Sequence, residues 1–120
     1  MADPTTRSPA EAIARLNDRC RCGLDRTART VITRACLATI AGGDTASGLL
    51  AQARLLAAIR RFTFASEDTL VRDRGQLQFD GHQIYFRIDA YDLDLNYGSE
   101  DQADASVTIR VMTIMMRDDL

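Results

Sequence analysis

The fold is decided by Leu77-Gln78-Phe79-Asp80-Gly81-His82-Gln83-Ile84-Tyr85-Phe86-Arg87-Ile88. Apolar and polar residues alternate on both sides of Asp80-Gly81, a dipeptide favoured in the two-residue type I′ turn of a β-hairpin. Such a turn places Phe79 opposite His82 and Leu77 opposite Ile84. The pattern therefore predicts an antiparallel hairpin with one apolar face. That face carries Leu77, Phe79, His82, Ile84, Phe86 and Ile88, and the other carries Gln78, Gln83, Tyr85 and Arg87.

Two further segments have the composition of strands. Residues 107–116 are apolar at most positions, which is typical of a strand near the middle of a sheet. Residues 29–40 are rich in β-branched side chains that alternate in two sets, and this alternation indicates a strand. We expect Gly42-Gly43-Asp44 to end it. The sets are Val31, Thr33, Ala35 and Leu37 against Ile32, Arg34 and Cys36.

Two helices are expected. The first begins at Ser8-Pro9-Ala10-Glu11, because Ser8 can accept from an amide of the first turn and Pro9 has no amide to lose there. Gly23 is expected to end it. The second helix runs from about Ser47 to Arg61, and its apolar residues fall on one broad arc. They are Leu49, Ala53, Leu55, Leu56, Ile59 and Phe62.

These elements predict an α+β fold, with an antiparallel sheet of about four strands and two helices packed on one face. Residues 1–7 are polar and predict a flexible tail, and residues 8–120 predict a single domain. Residues 66–75 are polar and charged, which indicates a loop. With 46% of its 120 residues in the hydrophobic set, the chain is apolar enough to form one core.

Charge and hydropathy exclude several classes of protein. Residues 1–60 hold nine Arg and five acids (+4), and residues 61–120 hold six Arg and twelve acids (−6), which gives the net charge of −2. A net negative charge disfavours non-specific binding to nucleic acid, although the N-terminal Arg residues leave a local phosphate-binding face as an alternative. No run approaches the roughly 20 apolar residues that a membrane span requires. The N-terminus lacks the pattern of a signal peptide, so we expect a cytoplasmic protein.

Cysteine and histidine give no signal for a metal or cofactor. Cys20, Cys22 and Cys36 do not follow a zinc-site spacing with His82, so free thiols are expected. His82 falls on the apolar face of the hairpin beside the turn, where a partly buried side chain is more plausible than a general base. We see no catalytic triad and no glycine-rich phosphate loop, and we predict no cofactor and no enzymatic activity.

The acidic segment, residues 89–104, is the most unusual part of the chain. It holds six carboxylates, and no cation lies between Arg87 and Arg110. It is open to three interpretations: a solvated connecting loop, a surface whose carboxylates and tyrosines bind a basic partner, or a divalent-cation site at Asp89, Asp92 and Asp94. On the second interpretation the binding residues are Asp89, Tyr91, Asp92, Asp94, Tyr97, Glu100, Asp101 and Asp104.

Arg110 is a cation inside an apolar strand. Burying it alone would be costly, so it needs a partner. We predict a structural ion pair with Asp89 or Asp92 that orders the acidic segment against the sheet.

Several stretches carry a resemblance to a known family. The most specific are Tyr97-Gly98-Ser99-Glu100-Asp101 and then Arg110-Val111-Met112-Thr113-Ile114-Met115; with Ile13–Asp18, Phe86–Asp92 and the second helix, the likeness spans most of residues 11–116. The chain resembles small alphaproteobacterial proteins, known only as a domain of unknown function, that are often encoded on plasmids and phages. Gln102 and Ala105 stand where that family tends to have prolines. The family brings no established activity. The location of these genes on plasmids and phages implies an inhibitor of host defence, such as an anti-CRISPR protein.

The leading hypothesis is therefore a non-enzymatic module that binds a basic, nucleic-acid-binding host protein through the acidic segment. One alternative is a small metal-dependent enzyme or nuclease that uses Asp89, Asp92 and Asp94. Another is a plasmid regulator that binds DNA through arginine. A homodimer formed through an exposed edge strand also stays open.

Overall fold

The computed structural model describes residues 8–42, 44–65 and 70–120. The predicted tail, residues 1–7, lies outside the described residues, as do residues 66–69 of the predicted loop. The helices are α1 (Pro9–Arg21), α2 (Arg34–Ala41) and α3 (Thr45–Arg60). The strands are β1 (Arg29–Ile32), β2 (Arg74–Phe79), β3 (His82–Tyr91) and β4 (Ile109–Met116). Single 3₁₀ turns lie at Ala105–Val107 and Arg117–Asp119.

The four strands form one sheet in the order β1-β4-β3-β2. The β2–β3 and β3–β4 pairs are antiparallel, and β1 lies parallel to β4 at the edge. The predicted α+β class with four strands is confirmed, although the sheet is mixed and the described helices number three. The apolar strand β4 has neighbours on both sides, as its composition predicted.

The hairpin has the predicted register. Phe79 pairs with His82 and Leu77 with Ile84. Asp80 and Gly81 both have positive φ, 49° and 82°, as a type I′ turn requires. The alternation in sequence was sufficient here because the turn fixes the pairing and the pairing fixes the faces.

The prediction of a strand over residues 29–40 was wrong for residues 33–40. The strand ends at Ile32, and Thr33 then caps α2, since its hydroxyl accepts a hydrogen bond from the Cys36 amide at 3.2 Å. Cys36 and Ile40, four residues apart, are the buried side chains of α2. Over six or seven positions, a short helix with few polar residues can show the same alternation of residue types as a strand. Here the N-terminal cap at Thr33 favours the helix.

The helix α3 begins at Thr45, two residues earlier than predicted, because the Asp44 side chain accepts a hydrogen bond from the Ser47 amide at 2.8 Å. Its buried face is Gly48, Ala51, Leu55 and Ile59. Leu49, which was predicted to face the core, is 62% exposed. Small residues face the neighbouring helix instead, as a Cβ at position 48 would lie 3.3 Å from that of Ala41.

The core lies between the helices and one face of the sheet. The sheet contributes Phe79, Ile84, Phe86, Ile88, Met112 and Ile114, and the helices contribute Cys20, Cys36, Ile40, Ala51, Leu55 and Ile59. Each large apolar side chain buried in this layer stabilises the fold by about 1.5–3 kcal/mol. The opposite face of the sheet, here called the open face, is partly accessible to solvent. It carries Gln76, Tyr85, Arg87, Val111 and Thr113.

Candidate functional site

The acidic segment folds as an ordered extension of strand β3. The Asp92 amide donates to the Tyr97 carbonyl at 2.8 Å, and the Leu95 amide donates to the Asp92 carbonyl at 3.0 Å. The Ser99 amide donates to the Ala90 carbonyl at 3.0 Å, beside a β-bridge between Tyr91 and Gly98. These bonds close a turn over residues 92–97.

Four of the six carboxylates in this segment bind within the chain. Asp92 accepts from the Asn96 amide at 3.0 Å, and Asp101 accepts from the Ala103 amide at 3.0 Å. Asp104 accepts from the amide and the hydroxyl of Ser106, at 2.9 and 2.6 Å. The Ser106 hydrogen bonds hold the pKa of Asp104 below its usual value. Asp89 pairs with Arg87 at 3.0 Å.

The other two carboxylates lie within the turn and three residues after it. Asp94 and Glu100 are exposed, and neither side chain makes a hydrogen bond or ion pair with any other residue that the structure describes. Tyr97 is 76% exposed and Leu93 is 57% exposed. We call these four residues, Leu93, Asp94, Tyr97 and Glu100, the acidic tip. Of the predicted binding residues, Tyr91 lies outside the tip because it is partly buried at the bridge.

A buried pair of hydroxyls holds the second half of the segment against the sheet. The Ser99 and Thr108 hydroxyls lie 2.6 Å apart, and the Thr108 hydroxyl donates to the Asp101 carbonyl at 2.9 Å. Thr108 is buried just before β4. The turn that carries the acidic tip is therefore anchored both to β3 and to β4.

Arg110 does not form the predicted ion pair. It is 1% exposed, and its Nε donates to Asn17 Oδ1 of α1 at 2.7 Å while its Nη2 donates to the Gln102 carbonyl. Arg110 pairs in register with Ala90 and therefore shares the helix-covered face, whereas Asp89 lies on the open face with Arg87. Side chains alternate along a strand, so residues 89 and 110 point to opposite sides of the sheet. Burial lowers the pKa of Arg110.

Arg110 still contributes to ordering the acidic segment, through the Gln102 carbonyl. Its other partner, Asn17, is 3% exposed and donates through Nδ2 to the Val71 carbonyl at 2.9 Å. The Asn17 side chain thus links α1 to β4 and to the segment that precedes β2. No pattern in the sequence marks Asn17 as a buried residue of α1.

Two further arginines, which the sequence did not single out, bind the side chain of Asp18. Arg72 binds this carboxylate through Nε at 3.0 Å and Nη2 at 2.6 Å, and Arg21 binds it at 3.3 Å. Burial raises the pKa of Asp18, but the hydrogen bonds from Arg72 and Arg21 outweigh it and leave the pKa below its usual value. Arg21 also donates to the Ile59 and Arg60 carbonyls at the end of α3. These contacts therefore tie α1 to α3 and to the segment before β2.

The other candidate residues are dispersed. His82 is partly buried opposite Phe79, as predicted. Cys20, Cys22 and Cys36 are free thiols, and burial raises the pKa of Cys20 to about 11. Within residues 8–42, 44–65 and 70–120, no three His, Cys, Asp or Glu side chains are grouped so as to hold a metal ion.

Comparison with known families gives one match. A family described as "Protein of unknown function (DUF3768)" matches residues 34–119. The chain belongs to this family. The matched DUF3768 region includes the sheet from β2 to β4, the helices α2 and α3 and the whole acidic segment, but it excludes α1, which supplies Asn17 and Asp18.

No curated protein and no solved structure matches the chain. In the part of this DUF3768 protein that the structure describes, no helix is both long enough and apolar enough to cross a membrane.

Proposed function

We propose that this protein is a non-enzymatic interaction module that binds a basic surface of a partner protein through the acidic tip. The observation that carries the proposal is Tyr97, a tyrosine 76% exposed on a turn closed by backbone hydrogen bonds. On either side of it lie Asp94 and Glu100, which lack a partner in the described part of the chain. Exposed aromatic residues with an acidic surround are typical of binding surfaces that meet basic partners.

The order of the turn favours binding. Association must offset the entropy lost when groups become fixed, and a turn already closed by hydrogen bonds incurs little of that cost. Leu95 also adopts a positive φ of 62°, which costs a residue with a β-carbon about 1 kcal/mol or more. The surrounding hydrogen bonds hold this strained conformation, and it determines where Tyr97 is placed.

The chemistry of the tip favours a partner rich in arginine or lysine. Carboxylates accept the same charge-assisted hydrogen bonds from a guanidinium that a phosphate accepts. A protein surface that ordinarily binds nucleic acid presents such groups, so we propose a nucleic-acid-binding host protein as the partner. An inhibitor of host defence of the anti-CRISPR type, carried on a mobile element of an alphaproteobacterium, would act in this way. Three free thiols suit the reducing cytoplasm.

A pull-down from native-host extract at moderate salt, with mass spectrometry of the bound proteins, tests the proposal. The test variants are Tyr97→Ala and the double variant Asp94→Asn with Glu100→Gln. The control is Glu11→Gln with Asp118→Asn, which removes two exposed carboxylates elsewhere and changes the net charge equally. We expect a basic nucleic-acid-binding protein to be retained by the wild type and the control and lost from both test variants.

Purified components then give the affinity. Removal of the two tip carboxylates should weaken binding and flatten its dependence on salt, because exposed charges act mainly through screened, long-range attraction. Equal affinity of the wild type and the tip variants would refute the proposed surface. Recovery of nucleic acid in place of a protein would refute the partner class.

A further inference from the structure

We propose that a cavity at the edge strand β2, bordered by Arg74 and Arg87 on the open face, binds a small organic anion with an apolar body. The cavity has a volume of about 600 Å³, and its lining includes Gln76, Tyr85 and Met115. Sites for small ligands commonly have volumes of about 300–1,000 Å³, with apolar walls and a few convergent polar groups. The proposal does not depend on the acidic tip, because none of the four tip residues lines the cavity.

The two arginines lie directly opposite each other. Arg74 on β2 pairs in register with Arg87 on β3, and the next pair on the same face is Gln76 with Tyr85. Like charges directly opposite on neighbouring strands destabilise a sheet. Asp73 and Asp89 already offset this repulsion, and the two guanidinium groups lie side by side on one face, where a single anion can accept hydrogen bonds from both.

Each guanidinium is oriented by a carboxylate and keeps free donors. Arg74 donates through Nε and Nη2 to Asp73, at 3.3 Å each, and Arg87 donates through Nε to Asp89 at 3.0 Å. Within the described residues, Nη1 of Arg74 and both terminal nitrogens of Arg87 make no hydrogen bond. A guanidinium has five N–H donors in a planar fork that matches a carboxylate or a phosphate. Asp73 and Asp89 thus orient the two guanidinium groups and leave some of the N–H donors of each guanidinium without a partner among the described residues.

The apolar part of the site comes from both layers of the protein. Met115 of β4 and the partly buried Phe62, which follows α3, line the cavity together with Gly75. A Cβ at position 75 would lie 2.7 Å from the Phe86 ring and 2.8 Å from the Phe62 ring, so only glycine allows these rings to pack here. The walls therefore accommodate the aromatic or aliphatic body of a ligand, while Tyr85 and the arginines bind its polar end.

The formal charges of Arg74, Arg87, Asp73 and Asp89 sum to zero. Recognition of the anion must then come from short, directed hydrogen bonds and not from a long-range positive field. Two consequences follow: an uncharged analogue should bind far more weakly, and salt should affect the affinity only slightly. A polyanion such as nucleic acid, by contrast, is bound mainly through net charge and with a strong dependence on salt.

Methionine-methyl NMR tests the site, because the chain contains its own reference group. Met115 lines the cavity and Met112 lies on the helix-covered face, and both side chains are almost fully buried. Protein labelled with ¹³C at the methionine methyl groups is titrated with phenyl phosphate, with phenylacetate and with uncharged benzyl alcohol. Fragment-sized ligands such as these bind with dissociation constants on the order of millimolar.

We expect a saturable shift of the Met115 methyl resonance with at least one of the two anions and no shift of Met112. Binding should be about tenfold or more weaker for benzyl alcohol and for the double variant Arg74→Gln with Arg87→Gln, as each loses charge-assisted hydrogen bonds. Arg54→Gln, which removes an exposed, paired arginine from α3, should bind as the wild type does. Comparison of the two anions identifies phosphate or carboxylate as the preferred group.

Three results would overturn the proposal. They are no saturable shift with either anion, equal affinity for benzyl alcohol, or equal affinity of the double glutamine variant. A Met112 shift that follows the same curve as Met115 would mean general binding or loosening of the fold, and this too would refute the site. Since both arginines are at least half exposed, the double variant is expected to fold, and an unchanged Met112 resonance verifies it.

Discussion

Replacing Asn17 with alanine tests how the buried Arg110 is stabilised. In the native protein the Asn17 side chain accepts from Arg110 Nε at 2.7 Å and donates to the Val71 carbonyl at 2.9 Å. Alanine removes both bonds and leaves a guanidinium that is 1% exposed with the Gln102 carbonyl as its remaining partner among the described residues. Water cannot readily replace the lost bonds at this depth.

The expected loss of stability follows from the two bonds. A hydrogen bond to a charged group is worth about 1.5–3 kcal/mol, and a neutral one about 0.5–1.5 kcal/mol. Their sum gives a decrease in the free energy of unfolding of about 2–4.5 kcal/mol for Asn17→Ala. For a domain of this size, 1 kcal/mol corresponds to about 4 °C, so the Tm should fall by about 8–18 °C.

Urea unfolding, followed by circular dichroism, measures the change directly. Asn17→Asp is the matched control, because its carboxylate still accepts from Arg110 but no longer donates to Val71, so it should lose less than the alanine variant. A loss below about 1 kcal/mol for Asn17→Ala would refute the argument, since that is the typical value of a single neutral hydrogen bond. It would mean that Arg110 finds another partner or reaches solvent.

Three further predictions concern packing, pH and metal ions. Gly75→Ala should lower the free energy of unfolding by about 1–3 kcal/mol through overpacking against the Phe86 ring, and an unchanged urea midpoint would contradict the close contact. The pKa of Asp18 is depressed in the folded state, so its contribution to stability is present above the unfolded value near 3.8 and is lost as the pH falls through the lower folded value. The Tm of Asp18→Asn should therefore depend less on pH below about 4 than that of the wild type, and parallel curves would show that Arg72 does not stabilise the carboxylate. Magnesium, manganese and calcium should leave the Tm unchanged, and a rise with any of them would favour the metal-dependent alternative, because a bound ion stabilises the folded state.

The elements that local chemistry controls were predictable. The Asp80-Gly81 turn sets both the register and the faces of the hairpin, and Ser8 caps α1 through the Glu11 amide at 3.1 Å, as the sequence indicated. Residues 33–40 were not predicted correctly, because a few alternating residues fit a strand and a short helix equally well. The capping hydrogen bond that the Thr33 hydroxyl accepts from the Cys36 amide favours the helix, and it forms only in the folded chain.

The acidic segment was recognisable from its charge, but the roles of its members were not. Composition treats six carboxylates as equivalent, while the structure gives Asp92, Asp101 and Asp104 to backbone amides and leaves Asp94 and Glu100 free in the described region. Which carboxylate accepts a hydrogen bond from an amide depends on the backbone angles φ and ψ of the turn. The sequence does not predict these angles, because residues 92–97 contain no glycine or proline that would indicate a turn type. The acidic tip is therefore a smaller surface than the one predicted.

By itself, the sequence determined the α+β class, the hairpin with its two faces, the central position of β4 and the concentration of negative charge between β3 and β4. These follow from periodicity, turn chemistry and composition, which act over a few neighbouring residues. Only the tertiary structure decided that Arg110 binds Asn17, 93 residues away, and that Arg74 and Arg87 lie side by side in the lining of one cavity. Such contacts depend on the packing of α1 and on the pairing of distant strands. The burial of the whole core fixes both, and no local pattern encodes them.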